Sequence, residues 1–254
     1  MALVALVLAS VFASKFDKKK VLFEPAIPLE EFRNVDPTVF EWVQPDDIQA
    51  GGTACGFLHA DLGLLPNVTY PKVKVYVCIK FAKNQPAPRG NLAVHCGGPE
   101  SLTSCVDGMG GPNAIGFDNP DNYNVISFDQ RGMGQSEPSF MVKECGFDGL
   151  NYTDAKKKID YSDVSSFRSY TEVLKQRVYR CWTYPGFQLT IDAQTDTGET
   201  ASKGYHFLEY SGTRQLAEDI WRIREIFGDQ KISVYGVSYG VSANSYGLWT
   251  LYHT

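Results

Sequence analysis

Residues 232–243 read Ile232-Ser233-Val234-Tyr235-Gly236-Val237-Ser238-Tyr239-Gly240-Val241-Ser242-Ala243. A short apolar run enters a serine flanked by two glycines, and small residues follow where a helix would pack closest. Gly-x-Ser-x-Gly alone carries little weight in a chain with 23 glycines, so its surroundings decide its meaning. A strand, a sharp turn and an immediate helix would leave the Ser238 hydroxyl exposed at the carboxyl edge of a sheet. Gly236 and Gly240 would relieve crowding where strand and helix approach. The competing reading is a plain glycine-rich strand-to-helix turn.

Moving upstream, Leu216, Ile220, Ile223 and Phe227 recur at helical spacing and predict one apolar stripe, with Gly228 as its stop. Glu218 and Asp219 stand near the start of that helix, and Arg222 and Arg224 near its end, as the helix dipole favours. Residues 124–129 (NVISFD) and 91–96 (NLAVHC) read as short apolar strands, the latter running into Gly97-Gly98-Pro99. Residues 55–65 and 73–82 read as two further strands. Residues 139–207 form a polar, cysteine-bearing insert with one helix over 163–181, its apolar positions being Phe167, Tyr170, Leu174, Val178 and Cys181. Residues 15–50 read as an irregular entry segment. Strands separated by helices predict an α/β class with a mostly parallel sheet flanked by helices.

Composition narrows the function. The 254 residues carry a net charge of −5, which argues against a nucleic-acid partner. The lysine triplets 18–20 and 156–158 read as solvated surface. No apolar stretch reaches the ~18–20 residues of a transmembrane span. Residues 1–13 (MALVALVLASVFA) have the length and small-residue ending of a signal peptide, leaving 14–254 as one domain portion. Six cysteines suit three disulfides whose pairing stays open, and the sequons at Asn67 and Asn151 fit a glycosylated, secreted chain. No C-x-x-C pair or Cys/His cluster suggests a metal. Gly132-Met133-Gly134 follows a strand, but Glu137 stands where a dinucleotide fingerprint needs its third glycine and Pro138 obstructs the helix. No nucleotide cofactor is expected.

Four segments taken together resemble the α/β-hydrolase superfamily, in particular secreted tripeptidyl and prolyl aminopeptidase-like serine exopeptidases. They are NLAVHCGGP, NVISFDQRGMGQSEP, the cysteine-bearing insert, and residues 212–249 with the Ser-Tyr-Gly elbow. The resemblance runs from about Cys55 to the end of the chain. It implies that Ser238 is the nucleophile, that the Tyr239 N–H is one oxyanion donor, and that the Gly97–Gly98 loop supplies the other. It further implies a structural turn at Asp129 and Arg131 that holds an ion pair, no cofactor, and a peptide substrate with a free N-terminus. This chain has Glu100 where such sequences continue with glycine, which leaves the geometry of that loop open.

In this superfamily the acid and then the histidine follow the serine. Here 16 residues follow Ser238, and His59, His95 and His206 all precede it. His253 would stand roughly 22 Å along a continuing helix, beyond hydrogen-bond reach. The triad acid and base are therefore expected outside this chain, which reads as the N-terminal portion of a hydrolase cut after the nucleophile helix and inactive alone. Two alternatives remain: a carboxylester hydrolase on the same scaffold, because ester and amide hydrolysis share the serine mechanism, and a short non-catalytic module.

Overall fold

The computed structural model describes residues 25–65, 67–98, 101, 103–106, 120–194, 200–228 and 232–242. The signal-peptide reading of residues 1–13, and those placed on Glu100 and His253, lie outside the described residues.

Six strands form one sheet in the order β1 (Phe40–Trp42), β2 (Thr53–Asp61), β3 (Lys72–Lys80), β5 (Asn124–Phe128), β4 (Asn91–His95), β8 (Ser233–Gly236). The expected mostly parallel sheet is corrected to a mixed one. The β1–β2, β2–β3 and β3–β5 ladders are antiparallel, and only β4–β5 and β4–β8 are parallel. The reason lies in the burial pattern. Every second residue of β2 is buried, as in an antiparallel sheet with one face more open. All five residues of β4 and of β5 are buried, as in a parallel sheet covered on both faces.

Alternation along the strands sorts side chains onto two faces. Val75, Val77, Ile79, Ala93, Ile126 and Phe128 join the larger core. Cys78, Leu92, Val94 and Val125 join a second core with Tyr123, Cys105 and Val106. The α-helices α1 (Leu29–Arg33), α2 (Tyr152–Lys157), α3 (Phe167–Trp182) and α4 (Thr213–Ile226) lie among the described residues, and α1 and α4 close the larger core. The stripe expected on α4 is buried throughout, and Phe227, just past its end, packs 5.0 Å from Phe32 and 5.4 Å from Phe40 between ring centroids. Burial of a side chain that size contributes roughly 1.5–3 kcal/mol.

Phe187, Tyr205 and Phe207 of the insert join the larger core, but its helix α3 is held differently. α3 forms as expected, within a few residues, but none of its residues is buried and Val178 is 65% exposed. Its anchors are polar and covalent. Arg177 Nε donates to the Cys145 carbonyl at 2.6 Å, Arg180 donates to the carbonyls of Asp148 and Gly146 at 2.8 and 3.0 Å, and Cys145 is disulfide-bonded to Cys181. A hairpin of β6 (Gln188–Gln194) and β7 (Thr200–His206) completes the insert, and no strand was expected there.

Candidate active site

β4 and β8 lie side by side in parallel, with His95 in register with Gly236. Both strands therefore leave the sheet at the same carboxyl edge, where α/β folds place their ligands. Beyond Gly236, the Val237 N–H donates to the His95 carbonyl at 2.9 Å and extends the ladder by one bond. Ser238 then takes φ +54°, a left-handed conformation that a non-glycine residue adopts only under constraint. A helix starts at Tyr239, its first turn closed by Gly240 N–H to Val237 O at 2.9 Å and Val241 N–H to Ser238 O at 3.1 Å. Ser238 itself is exposed.

The loop after β4 comes up against this turn. Gly97 has φ +121°, and a Cβ there would stand 3.1 Å from Ser238 Cβ, 3.3 Å from the Val237 carbonyl and 3.7 Å from Ser238 Oγ. Only glycine satisfies both the conformation and the approach. At the second elbow glycine, a Cβ on Gly240 would collide with the His95 carbonyl oxygen and lie 2.9 Å from Nδ1. Gly236 is the last residue of β8. The structure thus brings Ser238, Tyr239, Gly97, Gly98, Gly236 and Gly240 to one place. Among the described residues no acceptor takes the N–H of Tyr239 or of Gly98, whereas the Gly97 N–H donates to His95 Nδ1 at 3.3 Å.

Three devices hold the two loops. Cys96, beside Gly97, is disulfide-bonded to Cys105. The Asp129 carboxylate accepts from Ser101 Oγ at 2.9 Å, Thr103 N–H at 3.2 Å and Gln135 N–H at 2.9 Å, so it gathers the segment beyond Cys96 onto the turn after β5. The Tyr239 hydroxyl shares a hydrogen bond of 2.7 Å with Thr213 Oγ1, tying the elbow to the start of α4.

The ion pair expected between Asp129 and Arg131 is corrected. Arg131 pairs with Asp219 on α4, through Nε to Oδ2 at 2.9 Å and Nη2 to Oδ1 at 2.8 Å. Its remaining donors reach the carbonyls of Leu62, Tyr210 and Asp61. The resemblance implied an ion pair at this turn; α4 supplies the buried carboxylate that Arg131 meets.

His59 and His206 are engaged elsewhere. His59 lies 3.5 Å from Glu41 on the sheet, and His206 stacks on Trp182 at 4.0 Å between rings while its Nε2 meets the Trp182 carbonyl at 2.7 Å. Among the described residues no histidine hydrogen-bonds Ser238 Oγ, and no group of three His, Cys, Asp or Glu side chains could hold a metal ion.

No family model matches the chain. In an alignment of 159 positions that covers 58% of the chain, it is 27% identical to proteins named serine protease Hip1 from Mycobacterium bovis and Mycobacterium tuberculosis. The match covers 26% of those proteins, so the chain spans about a quarter of the length of the curated relatives it matches. This is distant homology to a serine protease.

Proposed function

We propose that this chain carries the nucleophile of a serine hydrolase, and that the protein releases residues or short peptides from free N-termini. The observation that carries the reading is Ser238, constrained at φ +54° on a strand-to-helix turn, exposed and pressed against the backbone of Gly97. The likeness to a serine protease supports the same class. The preference for free N-termini rests on the aminopeptidase-like resemblance of the sequence.

In this reading Ser238 Oγ attacks the scissile carbonyl carbon. The negative charge that develops on the carbonyl oxygen falls to backbone N–H donors at Tyr239 and in the Gly97–Gly98 loop. An imidazole takes the Oγ proton and returns it to the departing amine, and water then hydrolyses the acyl-enzyme. That imidazole and its carboxylate partner lie outside the described residues, and no cofactor is required. A secretory compartment fits three disulfides among the described residues, Cys55–Cys78, Cys96–Cys105 and Cys145–Cys181, and the apolar start of the sequence.

The test uses the protein expressed from its complete coding sequence, with a peptide p-nitroanilide, its N-acetylated form and a carboxylic ester as substrates. Turnover of the free peptide, lost on acetylation and in Ser238→Ala, is the expected result. Equal turnover of the acetylated peptide overturns the exopeptidase reading, and turnover of the ester alone makes the protein a carboxylester hydrolase.

A further inference from the structure

His95 is buried and contacts the turn on both sides of Ser238 as well as the loop at Gly97. It ends β4, is 1% exposed, and sits between the rings of Phe128 and Tyr239, whose centroids lie 5.8 and 5.9 Å away. Its carbonyl receives the Val237 N–H one residue before Ser238, and Gly240 passes so close that a Cβ would strike it. Its Nδ1 accepts the N–H of Gly97, itself buried.

A backbone N–H spent on Nδ1 cannot also serve a developing oxyanion. Of the two loop glycines, Gly98 alone keeps an N–H with no acceptor among the described residues. The imidazole is the right group for this task because a nitrogen with a lone pair accepts, whereas the same nitrogen protonated would face the Gly97 N–H donor to donor. Burial favours the uncharged ring and holds its pKa below the ordinary value, only partly opposed by Gln130 and the backbone.

We propose that His95 is a positioning residue: through Nδ1 it turns the Gly97 N–H away from the reacting carbonyl and thereby presents the Gly98 N–H, beside that of Tyr239, as the oxyanion donor. The inference rests on the serine-hydrolase reading of Ser238. An aliphatic residue of similar size would leave the buried Gly97 N–H without an acceptor and free the loop to rotate. Asparagine would restore an acceptor oxygen close to the position of Nδ1.

The experiment compares wild type, Ser238→Ala, His95→Leu and His95→Asn in the protein expressed from its complete coding sequence, with a free-N-terminus peptide p-nitroanilide as substrate. Losing the oriented donor is expected to lower kcat of His95→Leu about 100-fold with KM changed less than about twofold, while His95→Asn stays within about fivefold of wild type. Wild-type kcat in His95→Leu, or an equal loss in both variants, overturns the assignment. Failure of the underlying reading is recognised separately, as an inactive wild type or an active Ser238→Ala, and it removes the assignment as well. Should His95→Leu not fold, long-range proton–nitrogen NMR of histidine-labelled wild type decides. The expected state is an unprotonated Nδ1 with the proton on Nε2, and a proton on Nδ1 at neutral pH overturns the proposal.

Discussion

Arg131 and Asp219, 88 residues apart, form a two-point ion pair in which the side chains are 2% and 0% exposed. The turn after β5 is thereby bolted to α4, and the same guanidinium also holds the end of β2 and the segment before α4 through three carbonyls. A buried ion pair with its donors satisfied stabilises mainly against loss of one partner, because the survivor is left charged and unpaired. Asp219→Ala is therefore expected to lower the unfolding free energy by about 3–5 kcal/mol. A joint replacement, Arg131→Met with Asp219→Leu, should recover much of that loss. Denaturant unfolding measures both, and a single variant as stable as wild type would contradict the arrangement.

Gly97 and Gly240 separate two kinds of crowding. Gly240→Ala drives a methyl onto the His95 carbonyl and should lower the thermal midpoint by several degrees, while Gly97→Ala strains a φ of +121° beside Ser238. Gly97→Ala is expected to slow fluorophosphonate labelling of Ser238 more than it lowers the midpoint. Labelling at the wild-type rate would show that the Gly97 approach is dispensable.

The cysteines make a covalent prediction. Non-reducing peptide mapping should recover Cys55–Cys78, Cys96–Cys105 and Cys145–Cys181. Replacing Cys145 and Cys181 together with serine should make residues 139–207 the first region cut in limited proteolysis, because α3 has no buried residue to hold it. Unchanged resistance would mean that the arginine contacts suffice.

His95 also sets a direction for acid stability. Its pKa is lowered by burial in the folded state, so the unfolded chain binds its proton more readily. Stability is then complete above the ordinary histidine value of about 6.5 and is lost as pH falls below it, toward the folded pKa. His95→Asn should flatten the dependence of the unfolding midpoint on pH below about 6.5. An unchanged slope would assign the acid loss to other groups.

Much of this arrangement was legible in the sequence. The uninterrupted apolar runs at 91–96 and 124–129 became the buried β4 and β5, and the four-residue stripe of α4 closes the core. Residues 73–77 alternate as an antiparallel strand with one more open face does, but the βα rhythm of the rest suggested a mostly parallel sheet, and the antiparallel pairing was not read. The β6–β7 hairpin escaped because its residues are largely polar, and Arg131 was paired with the wrong carboxylate because Asp219 is distant in sequence and near only in the fold. At the elbow, the glycine spacing marked Ser238, but it could not distinguish Gly97 from Gly98. That distinction comes from the acceptor which His95 places under Gly97.

The central claim is that Ser238 is the reacting nucleophile, and covalent capture tests it most directly. The protein expressed from its complete coding sequence is treated with a fluorophosphonate and digested, and the modified peptide is sequenced by mass spectrometry. Stoichiometric modification at Ser238, lost in Ser238→Ala together with peptide hydrolysis, is the predicted result. Hydrolysis that persists in Ser238→Ala, or modification of a different serine in the active protein, would contradict it.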